Sequence, residues 1–404
     1  MADTIKPRDS KEVEEAVRWA LGNDKPLELA GQGTKRAIGR PSQTDLTLDL
    51  SGLNGVTLYE PAELVLSARA GTLIAEIDAL LAENNQQLAF EPMDYGPLLG
   101  GAANRGTLGG AIAANLAGPR RIKSGAARDH FLGVTAVTGR AETIKSGGRV
   151  VKNVTGYDLC KLLAGSWGTL AAMTDITVKV LPKAETEATV VVTGLDDAHA
   201  CAAMIAALGS SCDVSGAAHV PDHVASWFDG LPKPQASTVL RLEGFVPSVA
   251  HRKGILAALM KKFGPVSILD EKNSIALWQS IRNVKPFTAD DARDRSLWRI
   301  SVAPSRGHEI AGAVTPAAQI FYDWGGGLVW VAMPFAGEPD AAAIRRAVAE
   351  VGGHATLIRA PAAVRAASGA FAPEEPALHD LAKRVKESFD PKGVLNPGRM
   401  WAGV

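Results

Sequence analysis

The chain reads as an α+β protein: a first domain over residues 1–183, a second over 184–375, and a C-terminal helix and tail over 376–404. Three observations predict this. Strand-like and helix-like periods alternate through the first 180 residues, which points to a mixed domain. In the second half the order β-α-β-β-α-β occurs twice, the ferredoxin-like unit. Between them, Pro182-Lys183-Ala184-Glu185 breaks both periodicities. At 404 residues the chain is also long for a single hydrophobic core.

Taken in order, residues 10–21 place Val13, Ala16, Val17, Ala20 and Leu21 at helical spacing, with Ser10 as N-cap. A short strand at 27–30 runs into Gly31-Gln32-Gly33-Thr34-Lys35. Leu46, Leu48 and Leu50 alternate as in a strand, and so do Leu64, Leu66 and Ala68. Thr72 is placed to cap a second helix with inner residues Leu73, Ile77, Leu80 and Leu81. Residues 96–118 are dense in glycine and contain Thr107 to Asn115, a small-residue helix whose first turn would aim free amides at an anion. Paired strands follow at 131–138 and 141–145, and Ile176, Val178 and Val180 close the domain.

In the second half, strands fall at 188–193, 214–220, 237–245 and 265–269, with helices at 196–208 and 247–263. The pattern recurs with strands at 297–303, 318–323, 328–333 and 354–359 and helices at 307–313 and 340–351. Two such units side by side would share one antiparallel sheet, with helices on one face and the other face free to cover a ligand. A last helix presents Leu378, Leu381 and Val385. Beyond it, two prolines and two glycines within 389–398 forbid regular structure.

Composition excludes several functions. Hydrophobic residues make up 46% and charged residues 21%, and 43 basic side chains balance 43 acidic ones, so neither nucleic acid nor an anionic membrane is an expected partner. No secretory signal opens the chain and no apolar run is long enough to cross a bilayer. A soluble, cytoplasmic protein is expected, with any membrane association made through another subunit. Cys160, Cys201 and Cys212 have no paired spacing, so neither an iron–sulfur cluster nor a disulfide framework is expected. His219 and His223 flank Pro221, which argues against a shared helix face; they read as surface histidines, and no metal site is expected.

Gly31-Gln32-Gly33-Thr34 lacks the third glycine of a nicotinamide fingerprint, since Arg36 occupies that position. A concave run of backbone N–H groups there would suit a pyrophosphate. The block Lys152-Asn153-Val154-Thr155-Gly156-Tyr157-Asp158-Leu159, continuing to Gly165-Ser166-Trp167-Gly168-Thr169-Leu170, sets glycines where a backbone must approach a bulky ligand.

Together these segments resemble the FAD-binding domain of the vanillyl-alcohol-oxidase/para-cresol-methylhydroxylase (PCMH-type) fold over residues 5–183, with the 389–398 tail as a further match. Within that family the chain is most similar to the smaller FAD-binding subunit of bacterial glycolate oxidase. The likeness rests on Gly118-Pro119-Arg120-Arg121, Arg128-Asp129, residues 151–158, Gly168-Thr169-Leu170, Leu297-Trp298-Arg299-Ile300-Ser301 and Asp323-Trp324-Gly325-Gly326. It implies that Gly31, Gln32, Gly33, Thr34 and Lys35 hold the FAD pyrophosphate. Thr107, Gly109, Gly110, Asn115 and Gly118 would line the adenosine and isoalloxazine side. Gly125 and Arg128, with Asn153, Thr155, Gly156 and Tyr157, would complete the pocket, and Asn396 would return beside the ring. The FAD would be non-covalent, because the Gly31–Lys35 loop lacks the histidine that covalent relatives place there.

The resemblance also implies oxidation of a small 2-hydroxy acid, glycolate to glyoxylate, with Arg299 and Arg241 as candidate anchors for its carboxylate; sheet-edge arginines facing water are the alternative. Two departures matter. Larger related subunits carry Gly-Ser-Glu-Gly-Thr-Leu where this chain has Trp167, and they carry a metal-binding histidine cluster that is not found here. The implied partners are such a larger FAD- and metal-binding subunit and an iron–sulfur subunit. An accessory role in FAD binding, assembly or electron relay, and a stand-alone 2-hydroxy-acid dehydrogenase, stay open.

Overall fold

A computed structural model describes residues 3–44, 46–149, 156–289, 292–335 and 341–404. The chain divides into two compact units. The first comprises Met1–Ala117, Gly125–Lys183 and Gly369–Val404; the second comprises Gly118–Ser124 and Ala184–Ser368.

In the first unit, β1 (Asp3–Ile5), β2 (Leu27–Ala30) and β3 (Leu46–Asp49) make a parallel sheet in the order β1-β3-β2. Val13, Ala16, Val17 and Ala20 of the helix Ser10–Asn23 join its core. The N-cap is Asp9, one residue before the expected Ser10, because its longer carboxylate reaches the amides of Lys11 and Glu12 at 2.9 Å each. Strands β4 (Val56–Glu60), β5 (Val65–Arg69), β6 (Gln86–Gln87), β7 (Phe131–Thr138), β8 (Thr143–Gly147), β9 (Ala171–Lys179) and β10 (Leu181–Pro182) follow. Five of them form an antiparallel sheet, β4-β5-β9-β7-β8, while β10 pairs with β6. Ile77 and Leu81 of the helix Ile74–Ala82 pack with Phe90, Phe131 and Ile176 in its core. Truncating a buried ring such as Phe131 to alanine should cost about 3–5 kcal/mol. Thr72 does not cap that helix; its hydroxyl is engaged with Gly55, accepting from the amide at 2.9 Å.

The second unit carries β11 (Thr186–Thr193), β12 (Gly216–Val220), β13 (Ser237–Gly244), β14 (Val266–Leu269), β15 (Arg295–Ser301), β16 (Gln319–Asp323), β17 (Leu328–Pro334) and β18 (His354–Arg359). They form one eight-stranded antiparallel sheet in the order β14-β11-β13-β12-β16-β17-β15-β18. Each half is a β-α-β-β-α-β unit, and the halves meet where β12 pairs β16 at His219 and Tyr322. Ala188, Val190, Leu240 and Leu242 turn one face toward the helices Asp197–Leu208 and Val246–Met260. The alternating residues Glu187, Thr189, Arg241 and Glu243 point to the other face. That face is not wholly free, as the sequence suggested. The helix Glu271–Arg282, unanticipated from periodicity, sends Trp278 Nε1 to Thr189 Oγ1 at 2.8 Å and the Ser274 hydroxyl to Glu187 at 2.7 Å. Its start signal was present: Asp270 caps it by accepting from the Asn273 amide.

Candidate functional site

The site is a cleft in the first unit, open to solvent on one side. Its walls are the loop after β2 (Gly31 to Arg36), the helix Leu108–Ala113 with its cap Thr107, the Trp167-Gly168 turn, the end of β9, and Asn396 and Arg399 from the tail.

Two sets of bonds hold the loop's ends. The carbonyl of Gly33 accepts from the Arg36 amide at 3.1 Å, and that of Lys35 accepts from Ile38 at 3.1 Å and from Arg399 Nη2 at 2.9 Å. The N–H groups of Gln32, Gly33, Thr34 and Lys35, by contrast, donate to no protein group among the described residues. Gly33, at φ +73, supplies a left-handed turn in the middle of this run, and all four residues line the cleft. The Lys35 ammonium projects to the same place, 3.3 Å from Thr34 Oγ1. Burial, with Arg399 nearby and despite the counteracting charge of Asp94, brings its pKa down to about 8.

The helix Leu108–Ala113 contributes differently from the sequence expectation. Its first amides are engaged: Leu108 donates to the Thr72 carbonyl at 2.9 Å, Gly109 to that of Ala70 at 2.8 Å, and Gly110 to Thr107 Oγ1 at 3.2 Å. The helix therefore presents small surfaces, not free donors. A Cβ on Gly110 would lie 3.1 Å from Lys35 Nζ, and one on Gly31 would lie 2.7 Å from Thr107 Oγ1. Both glycines line the cleft, and a side chain at either would crowd Lys35 or Thr107 there, so the cleft presents bare backbone at these positions. Gly109 lines the cleft too, but a Cβ there would meet Ala70 Cβ and O at 2.9 Å, a packing constraint.

The far wall is aromatic and is braced by the tail. Trp167 holds a left-handed backbone at φ +54 and packs edge-on against Phe371, ring centroids 5.4 Å apart, with the Arg399 guanidinium 5.6 Å from its ring. Asn396 reaches across, its Oδ1 accepting from Leu29 N and its Nδ2 donating to Trp167 O, each at 2.8 Å. Leu27 donates to Val394 O at 2.7 Å and accepts from Asn396 N at 3.0 Å, so the tail adds to the free edge of β2.

The structure thus brings together Gly31, Gln32, Gly33, Thr34, Lys35, Thr107, Gly109, Gly110 and Asn396 around one cleft. Other residues named from the sequence lie apart from its lining. Asn115 Oδ1 accepts from the Arg128 amide at 2.9 Å, joining those two to each other. Gly125, at φ +82, opens a turn closed by Ala126 N donating to Asp129 Oδ2. Gly118 belongs to the second unit, Gly156 is exposed, and Tyr157 is 90% exposed. Asn153 and Thr155 lie outside the described residues. The residues missed were Trp167 and Arg399. Trp167 stood in view as a departure from the family pattern, whereas nothing local marked Arg399.

In the second unit, Arg241 is neither open to solvent nor at a sheet edge. It is 1% exposed, with Nε 3.3 Å from Glu243 and its guanidinium 4.7 Å from the Trp278 ring. Burial pushes the Glu243 carboxyl up, but Arg241, Arg120 and the Ser215 hydroxyl outweigh it and hold it at about 2. Arg299 is half-buried, its guanidinium 4.9 Å from the Trp324 ring. His219 is not a surface histidine: it is fully buried, its Nδ1 2.9 Å from Thr238 Oγ1 and Nε2 3.4 Å from Asp197, which accepts from the Tyr322 hydroxyl. His223 lines the same cavity of about 740 Å³. Among the described residues no three histidine, cysteine or acidic side chains are grouped to hold a metal ion. No helix among them is long and apolar enough to cross a membrane.

A family model described as an FAD binding domain matches residues 2–147. The chain is 33% identical to the glycolate oxidase subunit GlcE of Escherichia coli, across 97% of each protein. It is 25% identical to the glycolate oxidase subunit GlcD of Bacillus subtilis, covering 98% of this chain and 88% of that one. Among solved structures, p-cresol methylhydroxylase with substrate bound shares the fold at a TM-score of 0.74, with 15% identity, over 99% of this chain and 88% of the other.

Proposed function

The chain belongs to the GlcE family of glycolate oxidase subunits, FAD-dependent oxidoreductases acting on CH–OH groups, and from that premise we propose that its cleft seats FAD non-covalently with the pyrophosphate on the Gly31–Lys35 loop. The observation that carries the placement is the row of N–H groups from Gln32 to Lys35, donating to nothing among the described residues, beside the Lys35 ammonium. Such nests bind phosphate oxygens through several short donors at once, and a lysine adds a compact charge.

When bound, the flavin accepts the hydride equivalent from Cα of a 2-hydroxy acid, glycolate being the substrate we assign. The chain's own residues then have distinct tasks. The loop amides and Lys35 fix the charged end of the cofactor. Gly110 and Gly31 leave room for it, Trp167 and Asn396 wall the cleft opposite, and Arg399 braces both Trp167 and the loop. Arg299 is the better candidate carboxylate anchor, since it is half-buried whereas Arg241 is 1% exposed.

The family's members are subunits, which implies a multi-subunit enzyme. We assign as companions a larger FAD subunit with metal-binding histidines and an iron–sulfur subunit. The three cysteines here are scattered and buried, so any iron–sulfur carrier of the electrons would lie on another polypeptide. Any membrane association would run through those companions. Trp167, in the place where larger subunits carry a glutamate, favours a second reading in which this chain binds FAD and supports assembly while substrate turns over elsewhere.

Two measurements test these readings. Acid precipitation of the purified chain should release all yellow colour into the supernatant; colour kept in the pellet contradicts non-covalent binding. Glycolate-dependent dye reduction should be brisk in the native complex and weak or absent in the isolated chain, and brisk turnover by the chain alone would make it a stand-alone dehydrogenase.

A further inference from the structure

Within the second unit, two guanidinium groups converge on one buried indole. Arg121 Cζ lies 4.6 Å, and Arg299 Cζ 4.9 Å, from the ring centroid of Trp324. Trp324 is 6% exposed, whereas Arg121 is exposed and Arg299 half-buried, so the two arginines are the accessible members of the cluster.

The assembly is built, not incidental. Arg120 holds the segment carrying Arg121 against β13 through a fork onto Glu243, at 3.0 and 2.6 Å. The Trp324 indole N–H donates to the Gly118 carbonyl of that segment at 3.0 Å. Trp324 itself sits in a run of three left-handed residues, φ +53, +69 and +98 through Gly326. A Cβ on Gly326 would meet the Pro304 carbonyl at 2.6 Å, and both glycines hold positive φ that side-chain-bearing residues rarely adopt. A tryptophan held left-handed is strained, and strain that the surroundings over-determine tends to mark functional positions. Asp323, the acid beside it, accepts from the Trp324 amide through Oδ1 at 2.7 Å. His354, opposite Ser301 on the neighbouring strand β18, lies within the field of both arginines; burial first, and then their charges, lower its pKa.

We propose that Arg121 and Arg299 form a two-guanidinium site on the Trp324 ring for the carboxylate of a small 2-hydroxy or 2-oxo acid. The choice of a carboxylate rests on the 2-hydroxy-acid reading above. Guanidinium forks match the two oxygens of a carboxylate, and the indole orients each guanidinium by cation–π attraction. Arg121, named from the sequence only as part of a family motif, becomes a specificity-determining residue.

The test uses the full purified chain and oxalate, a small carboxylate with no C–H bond to oxidise, titrated calorimetrically. Flavin content is read in parallel, so a failure of the FAD reading shows as missing flavin and a failure of this one as missing oxalate binding. Saturable oxalate binding is expected, weakened at least tenfold in Arg121→Met and in Arg299→Met with flavin content unchanged, and retained in Arg346→Met, an exposed arginine on the helix Ala341–Val351. Arg121 is exposed, so its variant should fold and is the decisive one. Undiminished oxalate binding in Arg121→Met overturns the site, as does absence of binding in the unaltered chain. Inorganic phosphate binding as tightly as oxalate overturns the assignment to carboxylates.

Discussion

Lys386 and Asp390 form a buried ion pair, Nζ to Oδ2 at 2.6 Å, one helical turn apart at the end of the helix Pro376–Phe389. The ammonium also donates to the carbonyls of Thr169 at 2.6 Å and Leu395 at 2.9 Å. The carboxylate in turn accepts from the amides of Val394 and Leu395 at 2.9 and 2.8 Å. One pair thus turns the tail toward β2 and fastens it to Thr169, directly after the Trp167-Gly168 turn that walls the cleft.

Removing one partner leaves the other charge buried without its counterion, which costs about 3–5 kcal/mol, whereas replacing both with apolar groups costs less. Lys386→Met and Asp390→Leu should each lower the melting temperature and the flavin content, and the double variant should recover part of both. Equal losses in all three by thermal denaturation and flavin absorbance would show that the pair contributes nothing beyond its shape.

Deleting residues 389–404 should lower flavin affinity and also destabilise the first unit. Val394 and Leu395 are buried in the core around β2, and Asn396 bonds both Leu29 and Trp167. The deletion strands the Lys386 charge as well. A truncated chain with unchanged flavin affinity would remove Asn396 and Arg399 from the site.

The tail shows where sequence reading stops. Its prolines and glycines keep it from a regular helix or a longer strand, although Phe389 still ends the preceding helix and Leu395 makes one parallel bridge to Leu27. Its order comes from non-local bonds to Leu27, Leu29, Trp167 and Thr169, which no local period records. The doubled β-α-β-β-α-β order was readable because its strands alternate and its helices repeat every three to four residues. The Gly31–Lys35 loop was readable from its glycines after a strand. The amides of the helix Leu108–Ala113 were misjudged because Ala70 and Thr72, more than thirty residues earlier, accept from them. His219 was misjudged for a related reason: Pro221 excludes a shared helix face with His223, but His219 lies on β12, and its partners Thr238 and Asp197 come from elsewhere in the chain.

Glycines 109 and 110 should fail in different ways. Valine at Gly110 meets the far end of a flexible lysine, Lys35 Nζ, so the protein should fold and lose flavin as the ammonium is displaced. A side chain at Gly109 meets the backbone oxygen and Cβ of Ala70, so Gly109→Val should lower stability first. Circular dichroism melts beside flavin absorbance separate the two. Full flavin occupancy in a folded Gly110→Val protein would reduce that turn to packing.

Lys35 gives the cleft a pH dependence with a definite sign. Burial in the flavin-free protein holds its pKa at about 8, and a pyrophosphate seated beside the ammonium must raise it. Below about pH 8 the group is charged before and after binding, so affinity should be flat. Above it, binding must take up a proton, and the dissociation constant should rise about tenfold per pH unit until the raised pKa of the complex is reached. Lys35→Met should bind FAD more weakly at neutral pH and lose this slope while leaving the loop amides in place. Titrations from pH 7 to 10 in two buffers of different ionisation enthalpy would read the proton uptake directly. A slope that persists in Lys35→Met would assign the titration to another group and leave the loop amides as the only phosphate contacts.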